Sequence, residues 1–225
     1  MHNVQNAMVA ALVSYAMGIK IENIRQGLRT FDTSYFQVPG RMNIFDEHPF
    51  KVILDYGHNP AAIQCMVDLV GRLDVEGERI CVLSTPGDRR DEDVIEIAQI
   101  VAKGNFEHVI VRRDDHRRGR GDREIPEMLQ KALIEAGYPQ DSISVIVDEQ
   151  EAVSAALERA DRGDLILIFG DAISRCWKQI ITHRPGQPGT AGPRLVEEQS
   201  EVSIPLDGPA TPTGMTSAEF EALII

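Results

Sequence analysis

Leu165-Ile166-Leu167-Ile168-Phe169 is five apolar residues without a polar interruption, and Val109-Ile110-Val111 and Val52-Ile53-Leu54 repeat the pattern. A strand with one solvated face alternates apolar and polar residues, so runs of this kind belong to strands buried on both faces. Strand segments fit 42–46, 51–55, 79–84, 107–112, 143–147 and 164–169, with helical spacing between them at 60–73, 91–103, 122–136, 149–160 and 172–182. Alternating strand and helix predicts an α/β fold: a Rossmann-like, mostly parallel sheet with helices on both faces. Only Glu47-His48-Pro49-Phe50 separates the first two strands, which is too short for a crossover, so an antiparallel edge hairpin is expected there.

Ahead of this pattern, Val4, Met8, Ala11, Leu12 and Tyr15 form one stripe of a helix over 3–17 that Gly18 stops. Ile21, Ile24 and Leu28 mark the inner face of a second helix over 21–30. Phe31 to Gly40, with its Asp, Thr, Ser and closing Pro-Gly, reads as a linker. The expected organisation is therefore a helical unit plus linker at 1–38, the sheet domain at 39–183, and a tail at 184–225. Six of the twelve prolines and five glycines fall in that tail. Such a composition buries too little apolar surface to offset ordering entropy, so disorder is expected, apart from a short helix at 217–225.

The formal net charge is −12. Two Arg against six acidic residues put a third of it in the tail, and the remainder leaves the body acidic too. Nucleic-acid binding needs a basic face, so that class of partner is excluded, while a cationic substrate is favoured. Cys65, Cys81 and Cys176 are scattered, with no C-x-x-C, which argues against a metal cluster or disulfide framework and for a reducing cytoplasm. No apolar run is long enough to span a bilayer, and the start Met-His-Asn-Val-Gln-Asn lacks the pattern of an export signal. Neither export nor a membrane is expected.

Chemistry-bearing residues gather where strands end. Asp55, His58 and Asn59 follow the strand 51–55, where open α/β sheets bind ligands, and Pro60 suits the first helical position. The same residues also fit ordinary strand-end capping. Thr85-Pro86-Gly87-Asp88-Arg89-Arg90-Asp91 offers backbone N–H groups and two Arg for a small anion site, or else a Gly-Asp turn with Asp91 as N-cap. Asp114-Asp115-His116-Arg117-Arg118-Gly119-Arg120 fits a solvated charged loop whose three Arg can pair with the neighbouring Asp. Asp171 and Asp148-Glu149 fit helix starts, Trp177 fits packing against the sheet, and His48, His108 and His183 fit structural or solvated roles.

The ordered set Pro39-Gly40-Arg41-Met42-Asn43, Asp55-Tyr56-Gly57-His58-Asn59-Pro60, Ser84-Thr85-Pro86-Gly87-Asp88-Arg89-Arg90-Asp91-Glu92-Asp93, Asp114 to Arg120 and Arg175-Cys176-Trp177-Lys178-Gln179-Ile180 resembles the C-terminal domain of the Mur ligase family. Gly57, where the peptidoglycan ligases mostly carry Ala, makes it look more like the cyanophycin synthetases of that family, over about residues 2–182. The resemblance implies an ATP-dependent ligase that activates a carboxylate as an acyl phosphate and joins arginine to the side chains of poly-aspartate, with a cyanophycin primer as acceptor. It implies that Asp55, His58 and Asn59 contact ATP, and that Arg41 reaches the phosphates when the hinge closes. By the same resemblance, residues 1–38 are the helical end of the central ATPase domain plus linker, with His2, Asn3 and Asn6 approaching the adenine. Arg89, Asp114, Asp115, Arg117 and Arg120 would be substrate-binding. No G-x-x-x-x-G-K-[ST] phosphate loop occurs in the 225 residues. On this reading Mg2+ is held mainly by the absent central domain, with no metal site expected here, and the central and ATP-grasp domains are missing partners. Homo-oligomerisation stays open. So do a Mur-type ligase for another amino acid and a catalytically silent binding or assembly module.

Overall fold

A computed structural model describes residues 2–186, with side chains from Val4 onward. The tail from 187, including the helix expected at 217–225, lies outside the described residues. Two helices, α1 (His2–Ala16) and α2 (Ile21–Thr30), precede β1 (Asn43–Phe45) and β2 (Lys51–Asp55). There follow α3 (Pro60–Val70), β3 (Arg79–Leu83), α4 (Asp91–Ala102), β4 (His108–Val111) and α5 (Glu124–Glu135). A 3-10 turn at Gln140–Ser142 leads into β5 (Ile143–Val145), then α6 (Glu149–Arg159), β6 (Leu165–Phe169) and α7 (Ile173–Thr182).

The six strands form one sheet in the order β1-β2-β6-β3-β4-β5. The β1–β2 hairpin is antiparallel, with Ile44 opposite Ile53, and every other pairing is parallel. Successive residues of a strand face opposite ways, and the two cores follow that rule. Ile53, Cys81, Leu83, Val109, Leu165 and Leu167 pack against α3, α4 and α5. Val52, Leu54, Ile80, Val82, Ile110, Ile166 and Ile168 pack against α6 and α7. The chain moves outward from β2 to β5 and returns through α6 to insert β6 beside β2. With crossovers of one hand, that reversal moves the later helices to the opposite face. It also puts the carboxyl ends of β2, β6 and β3 side by side, the place where open α/β sheets bind ligands.

The N-terminal helices depart from expectation. Ile21 and Leu28 are exposed, no residue of α2 is buried, and the α1 stripe is open at Met8, Leu12 and Tyr15. These helices contact chiefly each other, and a two-helix pair offers too little surface to cover an apolar face. Trp177 packs against the sheet-side core as expected, and its indole meets the linker as well. It stacks on Tyr35 at 4.7 Å between centroids and 1° between planes, with Phe45 edge-on.

His108 is structural, its Nε2 lying 2.9 Å from the Ser144 hydroxyl. Burial, reinforced by the charge of Arg159, lowers its pKa. The folded state therefore favours neutral imidazole, and its contribution to stability is complete above the unfolded value of about 6.5 and is lost as pH falls below it. His108→Gln is expected to flatten the decline of the urea midpoint between pH 7 and pH 5. An unchanged slope would assign that decline to other groups.

Candidate functional site

At the end of β2, Asp55 is buried, and its two oxygens accept the backbone N–H groups of Gly57 at 2.7 Å and Met42 at 2.9 Å. Burial pushes its pKa up, against the pull of those two bonds. Met42 sits at φ 52°, so the carboxylate holds the end of the linker in a left-handed conformation. Tyr56 N–H donates to Gly40 O at 2.8 Å, tying the same linker to the strand end. Gly57 is tightly enclosed, since a Cβ there would stand 3.0 Å from Asp55 Oδ1 and 3.2 Å from the Phe169 ring. The capping reading thus describes Asp55. It also describes Asn59, whose Oδ1 accepts Ala62 N–H at 3.0 Å as the N-cap of α3.

Other polar atoms of this group remain open to solvent. His58 Nδ1 is 2.9 Å from Tyr56 O, and its ring rests 5.0 Å from that of Tyr56. The guanidinium of Arg41 lies over the Tyr56 ring, 5.8 Å from its centroid. Among the described residues neither the guanidinium of Arg41 nor the second ring nitrogen of His58 makes a hydrogen bond. Arg41, Asp55, His58 and Asn59 therefore come together on one rim. His2 and Asn3 begin α1, and Asn6 is exposed there with no side-chain hydrogen bond to the strand-end loops.

The loops after β3 and β4 meet across the same rim. Arg120 holds them together: Nε donates to Gly87 O, Nη2 to Arg89 O and Asp91, and Nη1 to Glu124 and the Met128 sulfur. All five N–H groups are engaged, so the expected contact of Arg120 with a substrate carboxylate has no donor left. Asp91 is not the N-cap of α4 but its first residue, behind Arg90, because its carboxylate is drawn to Arg120. Arg117 is exposed with a loose 3.4 Å pairing to Asp122, and Arg89 has no hydrogen-bond partner at Nε.

Asp114 and Asp115 are not free acceptors. Asp114 Oδ1 accepts the Ser84 hydroxyl at 2.7 Å and sits 3.3 Å from Arg112 Nη1, and Asp115 Oδ2 is 2.6 Å from Arg175 Nη1. Both guanidiniums converge on Glu149, which is fully buried. Arg112 approaches one oxygen at 2.8 Å and Arg175 the other, while Asp171 and Ala172 donate their backbone N–H groups. Burial alone would raise the pKa of Glu149, but the two guanidiniums and the Asp171 amide hold it below the ordinary carboxylate range. Asp171 is not the N-cap of α7, a position Ala172 occupies; its carboxylate accepts Asp115 N–H at 3.0 Å. Asp148 is the N-cap of α6, accepting Glu151 N–H. Among the described residues, no three His, Cys, Asp or Glu side chains gather as a metal site would require. No helix among them is long and apolar enough to cross a membrane.

A mostly parallel sheet with a reversal beside β6, polar loops on its carboxyl rim and an arginine over the strand-end Tyr defines a ligand-binding α/β domain. Residues 40–172 match the Mur ligase, glutamate ligase domain, and the chain belongs to that family. It is similar to the cyanophycin synthetase of Geminocystis herdmanii, 39% identical over 76% of this chain and 19% of that enzyme. The cyanophycin synthetase of a Synechocystis species is 37% identical over 81% of this chain and 20% of the enzyme. The chain thus spans about a fifth of the length of these relatives. In fold it is similar to UDP-N-acetylmuramate-alanine ligase from Thermotoga maritima, with a TM-score of 0.56 at 20% identity, covering 80% of this chain and 37% of that one.

Sequence reasoning missed Arg112 and Glu149 and gave Arg175 no role of its own. One signal was present: Arg112 directly continues an apolar strand, where a charge needs a partner.

Proposed function

We propose that this chain is the C-terminal lid of an ATP-dependent acid–amino acid ligase of the cyanophycin synthetase type. His58 and Asn59 lie beside the nucleoside, with Asp55 setting the loop, and His2, Asn3 and Asn6 approach from the helical unit. Arg41 reaches the phosphates when the linker closes. ATP, with Mg2+ held mainly by a central domain outside this chain, supplies the phosphoryl group that turns a poly-aspartate side-chain carboxylate into an acyl phosphate. The amine of arginine then displaces phosphate to form the amide. Arg89, Arg117 and the outer oxygen of Asp115 hold that amino acid, and Asp114 shapes the loop. Three free thiols suit a reducing cytoplasm.

The observation that carries this reading is the convergence of Arg41, Asp55, His58 and Asn59 on one open rim, in a chain 36–39% identical to several cyanophycin synthetases. A second reading, a Mur-type ligase for a different amino acid, is favoured by the engagement of Asp114 and Asp115 with this chain's own arginines. Calorimetric titration tests the nucleotide part. His58→Ala is expected to weaken ADP binding to the 225-residue chain about tenfold, the scale of one lost charge-assisted contact. Arg41→Ala should weaken ADP but leave adenosine unchanged. Equal ADP binding by the parent and both variants, or none by the parent, counts against the assignment. The chain alone is expected to join no arginine to poly-aspartate, and ATP-dependent ligation by it would refute the lid role.

A further inference from the structure

The loop after β4 has no regular structure of its own from Arg112 to Asp122, yet its first residues are fixed from several sides. Ser84 reaches it from the end of β3 through Asp114, Asp171 from the end of β6 through the Asp115 amide, and Arg175 from α7 through the Asp115 carboxylate. Arg112 anchors the root of the loop to Phe169 O at 2.6 Å and to Arg113 O at 2.8 Å. Glu149 stands behind both arginines and touches no solvent, so it cannot meet a ligand itself. Its carboxylate fixes two forks at once. The planar guanidinium of Arg175 spends one nitrogen on Glu149 and the other on Asp115, which lie 26 and 60 residues earlier in the chain. An ammonium is a single point and cannot bridge both carboxylates in that way.

We propose that Glu149 and Arg175 are positioning residues that set where the 113–120 loop stands on the rim, and thereby set capture of the incoming amino acid. The second half rests on the reading of this loop as the amino-acid contact. The nucleotide loop at 55–59 hangs on β2 and the linker, and no hydrogen bond among the described residues ties its side chains to Glu149 or Arg175. The two ligands should therefore respond differently.

Arg175→Lys in the 225-residue chain is the discriminating variant, because it keeps the charge against Glu149 and gives up the second fork. Glu149→Gln is the stronger change and carries the larger risk of misfolding. With Arg175→Lys, amide exchange at Asp115 and through 116–120 is expected to accelerate at least tenfold, while amides of β2, β3 and β6 keep their rates. L-arginine, titrated in the presence of ADP, should bind about tenfold more weakly, with ADP affinity unchanged. Unchanged loop exchange overturns the proposal, as does acceleration spread evenly over the sheet, which would mark a purely structural role. Loop release without any change in arginine affinity overturns the capture half. A parent that binds ADP but no L-arginine defeats the amino-acid reading of the loop, and the positioning claim then stands or falls on the exchange rates.

Discussion

Arg112→Met is expected to destabilise the domain by about 3–5 kcal/mol, the scale seen when one partner of a buried ion pair is removed. Arg112 is 1% exposed and Glu149 0% exposed, so the variant leaves a buried carboxylate with half of its countercharge and frees Phe169 O as well. Burial opposes the charge on Arg112, yet Glu149 and Asp114 hold its pKa above the ordinary value, which identifies the pairing as the compensating force. For a domain of this size the melting temperature should fall by roughly 6–20 °C. Adding Glu149→Gln to Arg112→Met removes the under-compensated buried carboxylate while Asp115 keeps Arg175 paired, and should recover part of the loss. A single variant within about 1 kcal/mol of the parent by urea denaturation would mean that water or a neighbouring group replaces the guanidinium.

Gly87→Ala is expected to cost about 1–3 kcal/mol, the range for overpacking a closed site. A Cβ at Gly87 would stand 2.1 Å from Arg117 O and 3.0 Å from its carbonyl carbon, and backbone cannot rotate out of the way as a side chain can. The loops after β3 and β4 must then part, which also draws Gly87 O away from Arg120 Nε. Gly121→Ala is the control, since its nearest neighbour would be 3.9 Å away, and it should change stability by no more than a few tenths of a kcal/mol. If the two variants melt together, the loop approach is softer than described. Weakened L-arginine binding by Gly87→Ala with ADP binding intact would further place the loop junction on the amino-acid side.

The strands, the sheet helices and the edge hairpin were legible because local rules govern them. Unbroken apolar runs such as 165–169 have only one way to be buried, and Asn59-Pro60 and Asp148-Glu149 carry helix-start chemistry in adjacent residues. The rim cluster around Asp55 was legible because its members lie within five residues of one another, with Arg41 just across the hairpin. The Glu149 network was not legible in this way. Its members come from the ends of β4 and β6 and the starts of α6 and α7, and only the insertion of β6 between β2 and β3 makes them neighbours. Read one at a time, Asp114 and Asp115 look like free acceptors, Asp171 like a helix start, and Arg120 like a free cation. Whether a charged side chain faces a ligand or a partner depends on strand order, which spacing along the chain does not encode.

The parallel stack of Tyr35 on Trp177 gives the protein its own optical gauge. Trp177 is the sole tryptophan of the 225 residues, so ultraviolet emission has a single indole source. One face of that indole is covered by a linker residue five positions before the Pro39-Gly40 end, and its edge meets Phe45 of the hairpin. Any swing that lifts the linker away from α7 must uncover the ring and expose it to water. Any such movement of the linker can therefore be followed in the unlabelled protein, in real time, as a change in emission colour and quenching by iodide.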